Sequence, residues 1–352
     1  MRRVIRRAAV AGVLAILLTV GVATAAAPTG PRLAIVKASR SGLELLNVNP
    51  NGGGSVRLAG GGRRARPYLE FFSTVSWSAD GAGVAFTGIV GVSKGDDHEP
   101  IRKIFIASAD GSGMRVVPGS SGAIGPVLSP DGHTLAFTRE IEREPPATVG
   151  GKRFEEGFQG SSIWTVDLLT GDRRQLTPWV GRGSYTASSF SPDGSTLLAT
   201  HEGELLSEPE LVALALDGSG SRRIFEDGGS AVYSPDGTRV AFLRSTMRSE
   251  ENREGSSDLY VVNADGTGLR RLTHTPGRNE LYPSWDPSGE RLAYVRFSAA
   301  ETEASAFGVG DALMQINADG TCQTKVLSSP RAAFYAPAWQ PGPDRGAGRI
   351  QC

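Results

Sequence analysis

The stretch Val232-Tyr-Ser-Pro-Asp-Gly-Thr-Arg-Val-Ala-Phe-Leu243 decides the fold of this chain. Its centre, Ser234-Pro-Asp-Gly237, has the composition of a tight turn: proline presets φ, aspartate caps the turn through its side chain, and glycine accepts a positive φ. Short apolar runs flank this turn, which predicts two antiparallel strands. Close variants recur at 77–81, 128–132, 190–194 and 285–289, and a degraded copy begins at Trp339. Spacings of 43–62 residues indicate one supersecondary unit used repeatedly.

A second hairpin follows the first within each repeat. In the clearest copy it consists of the strand 259–262, the turn Asn263-Ala-Asp-Gly266 and the strand 269–272. Comparable turns lie at 109–111, 170–171, 216–218 and 318–320. Four antiparallel strands joined by short turns form one blade of a β-propeller. The sequence therefore predicts an all-β fold, a six-bladed β-propeller with four antiparallel strands per blade, spanning residues 31–342.

The two ends of the chain are expected to share one blade. Residues 33–36, 43–48 and 56–58 have the pattern of the second, third and fourth strands without a first, and Trp339 begins a first strand without the rest. We predict that the N-terminal strands at 33–58 and the strand at 339 complete the sixth blade and close the ring. Closure removes unpaired strand edges. Residues 343–352 then form a C-terminal tail.

The N-terminus has the pattern of a secretory signal peptide. Arg2, Arg3, Arg6 and Arg7 precede an apolar stretch at 8–22, and small residues follow it. We predict a signal peptide at 1–25 and an extracytoplasmic product, whether periplasmic, wall-associated or secreted, with no transmembrane span after cleavage. An uncleaved anchor is the alternative. The 37 basic and 37 acidic residues balance, so nothing points to nucleic acid.

Two cysteines, Cys322 and Cys352, are present in the whole chain. An even number in an exported protein favours a disulfide, which would hold the C-terminal tail. Two unpaired thiols are the alternative, because sequence spacing does not decide between them.

The repeated phrase resembles the WD40-like repeats of the TolB β-propeller family. The resemblance rests on Ser-Pro-Asp-Gly, the strand ending in Ala-Phe, and the run Asn263-Ala-Asp-Gly-Thr-Gly-Leu-Arg-Arg-Leu-Thr273. It implies a propeller, and the family implies a periplasmic protein whose propeller binds a lipoprotein and other partners. The family's additional N-terminal α/β domain has no room between residues 26 and 33, so we expect a TolB-like propeller without it.

No catalytic motif was found. The chain lacks a Gly-x-Ser-x-Gly nucleophile elbow, a His-Glu-x-x-His zinc helix, a phosphate-binding loop and an EF-hand loop. His133 occupies a variable turn position, and Asp131, Asp193 and Asp236 are explained by turn chemistry. We therefore expect neither an enzyme nor a cofactor or metal. Calcium in the channel is left as an alternative without a supporting motif.

Function is expected on the disc face that carries the long loops. Insertions at 87–103, 138–161, 200–210, 244–257 and 296–310 all fall on one face, opposite the short turns. The predicted partner-binding rim on that face consists of Arg63, Arg64, Arg66, Phe72, Tyr185, Tyr282 and Tyr335. Ordinary packing between blades is the alternative for the aromatic members.

The leading hypothesis is a monomeric, non-catalytic scaffold of the cell envelope that binds a protein or peptide through this face. One alternative is a glycan-binding or glycan-lyase-like propeller that contacts the cell wall. Another is an accessory propeller of a peptidase system. The sequence names no partner.

Overall fold

The computed structural model describes residues 30–39, 42–60, 68–69, 74–90, 101–143, 147–149, 152–154, 158–178, 183–203, 208–246, 256–298, 312–329, 331–342 and 348–352. The predicted signal peptide at 1–25 and the rim residues Arg63, Arg64, Arg66 and Phe72 lie outside these ranges. Within them the chain forms strands and turns without a helix, so no helix there has the length and apolarity needed to cross a membrane. The predicted all-β class is confirmed.

Most strands fall into groups of four; β4 is an additional strand, and β11 and β12 form a separate hairpin. In chain order they are β1 (Leu33–Ser39), β2 (Gly42–Val48), β3 (Val56–Gly60), β4 (Tyr68–Leu69), β5 (Val75–Trp77), β6 (Gly83–Val90), β7 (Ile101–Ser108), β8 (Arg115–Val116), β9 (Ala123–Leu128), β10 (Thr134–Arg143), β11 (Ala147–Val149), β12 (Lys152–Phe154), β13 (Phe158–Asp167), β14 (Arg173–Gln175), β15 (Ser184–Phe190), β16 (Thr196–Glu202), β17 (Glu210–Ala215), β18 (Ser221–Phe225), β19 (Gly229–Tyr233), β20 (Arg239–Thr246), β21 (Ser256–Asn263), β22 (Arg270–Arg271), β23 (Arg278–Trp285), β24 (Arg291–Ser298), β25 (Ala312–Asn317), β26 (Thr324–Ser328) and β27 (Ala332–Trp339).

Antiparallel pairing assembles these strands into four-stranded units, each named here by its first strand. The β5 unit is β5-β6-β7-β8, with β4 also paired to β6, and the β27 unit is β27-β1-β2-β3. Two larger sheets each contain two units, β9-β10-β13-β14 with β15-β16-β17-β18, and β19-β20-β21-β22 with β23-β24-β25-β26. A single parallel bridge joins the halves of each larger sheet, Ser161 with Ser184 and Ser257 with Asn279.

The first strands of the units lie side by side. Contacts run from β5 to β9, β15, β19, β23 and β27 in that order, and β27 in turn contacts β5. The pairing of a first strand to its neighbour is interrupted by a bulge in several units, and Gly125, Ser230, Tyr282 and Ala336 adopt a positive φ beside these bulges. A bulge bends its strand and sharpens its twist, which suits a strand on the inner edge of a disc.

Hydrogen bonds cross the junction between each first strand and the next unit. They are of two kinds: an indole N–H donated to a carbonyl oxygen, and a backbone N–H donated to a serine or threonine hydroxyl. They are Trp77 Nε1 to Ala338 O (3.0 Å), Leu128 N to Ser76 Oγ (2.9 Å), Ala187 N to Thr138 Oγ1 (3.0 Å), Tyr233 N to Ser189 Oγ (3.3 Å), Trp285 Nε1 to Val232 O (3.2 Å) and Trp339 N to Ser284 Oγ (3.1 Å). Neighbouring units are therefore joined by specific bonds as well as by apolar packing.

Each repeat has one large side chain directly before its Ser-Pro-Asp-Gly turn or the variant of that turn, a position that we expect to pack in the core. Trp77, Leu128, Phe190, Trp285 and Trp339 are all buried. Tyr233 is half-buried, with its hydroxyl 3.3 Å from that of Thr196. These side chains join apolar clusters that extend across neighbouring units. They act in packing, since burial of large apolar surface is the main favourable term in folding.

Arginines at one position of the outer strands form a second set of links between units. Arg174 donates to Leu216 O at 2.9 Å and Arg222 donates to Ala264 O at 3.0 Å. Arg270 donates in the same way to Ala318 O. Each guanidinium thus reaches the outer turn of the next unit. Charged side chains on an outer strand also discourage pairing with another chain.

The Ser-Pro-Asp-Gly turns are built by their aspartates. In the β9 unit, Asp131 Oδ1 accepts hydrogen bonds from Ser129 Oγ at 2.5 Å and from the backbone N–H of His133 at 2.9 Å. Asp193 makes the equivalent pair of bonds in the β15 unit. The serine hydroxyl, followed by the backbone N–H, lowers the pKa of both carboxyls. His133 is exposed, so the turn interpretation of these residues agrees with the structure.

The C-terminal strand pairs with the N-terminal one. β27 runs antiparallel to β1 from Leu33 opposite Trp339 to Ser39 opposite Ala332. Gln340 extends this contact, because its buried side chain accepts from Asn47 Nδ2 at 3.2 Å and donates to Gly81 O at 2.5 Å. Cys322 and Cys352 form a disulfide with their Cα atoms 5.4 Å apart. The strand β1 and the C-terminal residue are thus each held by a segment distant in the sequence.

We predict that Gln340→Ala lowers the free energy of unfolding by about 1–3 kcal/mol, because it leaves Asn47 and Gly81 without their buried partner. The measurement is the urea midpoint of unfolding. Gln175→Ala is the control, since the Gln175 side-chain amide donates to Thr177 O within its own unit. The free energy of unfolding of Gln175→Ala should stay within about 0.5 kcal/mol of that of the parent protein. Equal losses in the two variants would contradict a special role for Gln340.

We also predict acid lability from the turns. A carboxyl whose pKa is lower in the folded state stabilises the fold above its unfolded pKa, and this stabilisation is lost as the pH falls through the folded pKa. The stability of the parent protein should therefore drop below about pH 4. Asp131→Asn/Asp193→Asn should show lower stability at pH 7 and a shallower loss in acid, as measured by urea unfolding across pH. A pH profile as steep as that of the parent protein would argue against this origin.

Candidate functional site

A cavity of about 610 Å³ lies where the first strands of the units meet. Each unit contributes part of its first strand, and most add the proline of the following turn. The lining comprises residues 74–77, 79, 126–130, 186–190, 192, 200, 230–235, 282–285, 287, 336–339, 341 and 342. Because the turn residues Ala79, Pro192 and Pro235 are exposed, the cavity reaches the surface on the turn face of the disc.

The wall of the cavity is neutral. Among the described residues that line it, none carries a charged side chain. Hydroxyls come from serines and threonines such as Thr186, Ser188 and Ser230, and the rest of the wall is aliphatic, aromatic or proline. A charged ligand group would lose its hydration here without gaining a counter-charge, which is costly. The arrangement therefore suits uncharged groups that combine apolar surface with hydrogen-bonding capacity.

Prolines shape this wall at two levels. Pro126, Pro283 and Pro337 lie in the first strands close to the bulges. Proline has no N–H to donate and is tolerated at an edge or a bulge. A second set, from the turns, surrounds the outer end of the cavity: Pro130, Pro192, Pro235, Pro287 and Pro341. The proline rings in the first strands and in the turns restrict the backbone, so the cavity keeps its shape without a ligand.

The oxygen ligands that the wall offers also bear on whether the cavity can bind a metal ion. Calcium is bound by six to eight oxygen ligands, usually with several carboxylates. The described lining offers hydroxyl and backbone oxygens without a carboxylate, and the described residues contain no group of three or more His, Cys, Asp or Glu suited to a metal. These residues do not fit a divalent cation.

Of the predicted rim tyrosines, the structure places one in the cavity wall. Tyr282 lines the cavity with a φ of 57°, and burial raises the pKa of its phenol. Tyr335 is 5% exposed and packs against Phe297 with ring centroids 5.6 Å apart. It therefore belongs to the core, which corrects its predicted place on the rim. Each strand has a bulge beside its tyrosine, and the two side chains have different surroundings: Tyr282 lines the cavity and Tyr335 packs in the core.

Tyr185 lies apart from this pair. Its ring stacks on His201 with centroids 4.3 Å apart, and His201 Nδ1 is 3.7 Å from Glu210 Oε2. Burial, followed by the nearby Glu210 carboxylate, raises the pKa of the Tyr185 hydroxyl. The ring is half-buried and is not among the residues that line the cavity. The structure thus does not bring the described rim residues together at one place.

Sequence reasoning missed the contribution of the turns to the cavity. The sequence predicts function on the loop-rich face, opposite the turns of the repeated phrase. The structure instead makes the turn prolines part of the cavity wall. The available signal was the pair of prolines in each of several repeats, one before the core aromatic residue and one after it, as in Pro283 and Pro287.

A buried ionic cluster was also missed. Glu280 is fully buried, with Arg296 Nη2 2.7 Å and Thr275 Oγ1 2.8 Å from its Oε1. Burial raises the pKa of Glu280, and the Arg296 guanidinium opposes that shift. Asp258, also fully buried, binds Arg271 and Thr273 nearby. Protein groups satisfy both carboxylates, so the cluster holds β21, β23 and β24 together and is not a ligand site.

Comparison with known proteins agrees with this architecture. The family described as "PD40: TolB beta propeller domain" matches residues 81–342. "Tol-Pal system protein TolB" of Anaeromyxobacter sp. (strain K) is 31% identical over 161 residues, which cover 44% of this chain and 34% of that protein. The chain therefore matches about a third of the length of this relative.

Solved structures share the fold. "Crystal structure of TolB from Acinetobacter baumannii" superposes with a TM-score of 0.63 at 19% identity, covering 88% of this chain and 67% of that one. "The structure of putative TolB from Agrobacterium tumefaciens" gives a TM-score of 0.57 at 17% identity, covering 89% and 99% of the two chains. Since the family profile extends over most of the chain, and strand pattern and solved folds agree with it, this protein belongs to the TolB β-propeller family.

Proposed function

We propose that this protein is an exported, non-catalytic β-propeller scaffold that binds a segment of a partner protein or peptide in its central cavity. The observation that carries the proposal is the neutral wall of that cavity, about 610 Å³ in volume and open at the turn face. Peptide segments offer uncharged backbone groups and apolar side chains, which match a wall of hydroxyls, prolines and aliphatic residues.

The ring of first strands supports a rigid scaffold. Because the contacts run from β5 through to β27 and return to β5, we infer six blades in a closed ring, with β27, β1, β2 and β3 forming the closing blade. A closed ring leaves no unpaired inner edge and holds the cavity wall in place. Binding to a preformed wall costs little ordering entropy, which favours affinity.

The place of action follows from the N-terminal pattern. A signal peptide at 1–25 would export the chain, and the disulfide between Cys322 and Cys352 is suited to an oxidising compartment. A relative of this chain carries the name "Tol-Pal system protein TolB". We propose a partner in the cell envelope, which fits the signal peptide and the disulfide. We propose that the protein acts there as a monomer.

The loop-rich face is the second candidate surface for the same partner. Many of its insertions lie outside the described residues, but β10 and β13 pair as far as Arg143 opposite Phe158, which makes a long β-ribbon. Arg102 Nη1 and Glu140 Oε2, 2.9 Å apart, link this ribbon to β7. A partner that passes through the disc would contact both faces, so the experiment must separate them.

We predict that Ser188→Trp weakens partner capture without unfolding the protein. Ser188 lines the cavity and is half-buried, so an indole there fills binding space. Ser221→Trp, on the exposed outer strand β18 of the same unit, is the matched control. The measurement is recovery of crosslinked envelope proteins from intact cells by mass spectrometry, with circular dichroism to verify folding. Recovery should fall about tenfold for Ser188→Trp and stay unchanged for Ser221→Trp.

A third variant, with residues 144–157 replaced by a short Gly-Ser linker, tests the loop-rich face. If it loses the partner while Ser188→Trp keeps it, binding belongs to the loops and the cavity assignment is wrong. If all three variants keep every partner, the scaffold proposal fails. Retention of cell-wall fragments in place of any protein would instead favour the glycan-binding alternative.

A further inference from the structure

The C-terminal tail is held by one of the outer turns. Asn317, fully buried, accepts a hydrogen bond from Ile350 N at its Oδ1 (2.7 Å) and donates from its Nδ2 to Ile350 O (3.0 Å). The Arg349 guanidinium pairs with Asp319 two residues further along the turn. One amide side chain thus binds the backbone of one residue as a neighbouring strand would, and one carboxylate binds the arginine before it.

The same five residues occur one unit earlier. The turn Asn317-Ala-Asp-Gly-Thr321 has its counterpart in Asn263-Ala-Asp-Gly-Thr267. Their internal bonds correspond. The asparagine N–H donates to the threonine carbonyl in both, at 3.0 and 2.8 Å. The asparagine Nδ2 donates to the threonine hydroxyl at 3.0 Å in both, and the threonine N–H donates to the aspartate Oδ1 at 3.0 and 2.9 Å. The arginine link from the preceding unit is also shared.

The two turns differ in what covers them. The tail covers Asn317, whereas Asn263, Asp265 and Thr267 are exposed. Within the described parts of the chain, Asn263 Oδ1 accepts no hydrogen bond, and the charged group that acts on Asp265 is the guanidinium of Arg222. The groups that hold Arg349 and Ile350 at one turn are therefore present and accessible at the other.

We propose that the Asn263–Thr267 turn is a binding site for an extended peptide segment of a second chain, with an arginine followed by an aliphatic residue. Asn263 binds the backbone N–H and C=O of the aliphatic residue, and Asp265 binds the arginine. None of these turn residues lines the central cavity, so the site is separate from the one proposed above. The tail contact within the same chain is the template for this mode of binding.

Other outer turns provide a natural comparison. Ser108 and Ala215 occupy the position of Asn263 in the β5 and β15 units. Neither side chain has an amide that can both donate to and accept from one peptide residue. The turn Ser108-Ala-Asp-Gly-Ser112 keeps the aspartate, and Gly113 has a φ of 61°, close to the 68° of Gly268. It is thus a matched turn without the amide.

One surrounding group also differs. Gly348 lies beside Glu290, whose carboxylate acts on Arg349 together with Asp319. The residue at the position of Glu290 in the β19 unit is Thr238. The arginine of a bound segment would therefore face one carboxylate at the open turn, which makes binding there weaker than that of the tail. We therefore test binding by disulfide exchange between a cysteine in the turn and a cysteine in a peptide, which detects weak binding.

Gly268→Cys places a thiol where Cys322 stands in the other turn. Cys322 has a φ of 54°, so a cysteine can adopt this backbone conformation. Its Cβ would lie 2.7 Å from Asn263 Nδ2, so the Asn263 amide has to shift slightly in this variant. The probe is a synthetic peptide of residues 346–352, Gly-Ala-Gly-Arg-Ile-Gln-Cys, added to the full chain in a mercaptoethanol exchange buffer. Mass spectrometry then gives the ratio of peptide adduct to mercaptoethanol adduct. Gly113→Cys is the matched control, and circular dichroism verifies that both variants fold.

The ratio at Gly268→Cys should exceed that at Gly113→Cys by about tenfold, the effect of a few net hydrogen bonds. Adding Asn263→Ser, or replacing the peptide arginine by glutamate, should remove the excess. Equal ratios at the two turns, or an excess that survives both changes, would overturn the proposal.

A second measurement leaves the turn intact. The same peptide with serine in place of cysteine is titrated into the unmodified protein, and the backbone amide resonances of residues 263–267 are followed by NMR. Saturable shifts that are absent in Asn263→Ser support the site, and unchanged resonances overturn it. Self-association of Cys322→Ser/Cys352→Ser in sedimentation, if it depends on Asn263, would identify the second chain as another copy of this protein.

Discussion

The pairing of β27 with β1 is the constraint on which the rest of the structure depends. It joins residues about 300 positions apart in the chain, a long loop whose closure is entropically unfavourable until many contacts form together. Trp339 and Gln340 then connect this pair to the neighbouring units through Ser284 and Gly81. Without it, β1 and the first strand β5 would each lose a neighbour, and the edges left open are those most prone to pair with other chains.

Because the first strands are held side by side, their side chains form the wall of the cavity and determine its polarity. Their serines serve two purposes, because Ser76, Ser189 and Ser284 link neighbouring units and also lie in the cavity wall. Charged side chains are found farther out, in the arginine links and in the buried cluster around Glu280. This distribution gives the centre of the disc an uncharged wall and leaves ionic interactions to hold the units together.

Much of the local structure was predictable from the sequence. The turn at Ser234–Gly237, the strands on either side and the buried position of Trp285 follow from short-range chemistry, in which proline, aspartate and glycine each favour one turn conformation. The predicted rim was less successful. Tyr335 lies in the core and Tyr185 stacks on His201, because the bulges turn residues of one strand in directions that an alternating pattern does not reveal.

By itself, the sequence determined the repeated four-stranded unit, the turn chemistry and the family, since each depends on residues close together in the chain. Only the tertiary structure decided that the turn prolines wall a neutral cavity, that Tyr335 is buried, and that the tail occupies the turn at Asn317 while its counterpart at Asn263 stays exposed. Those features arise where residues from different units meet. The phrase at 232–243 contains the turn but not its neighbours, so their arrangement around the centre of the disc had to come from the fold.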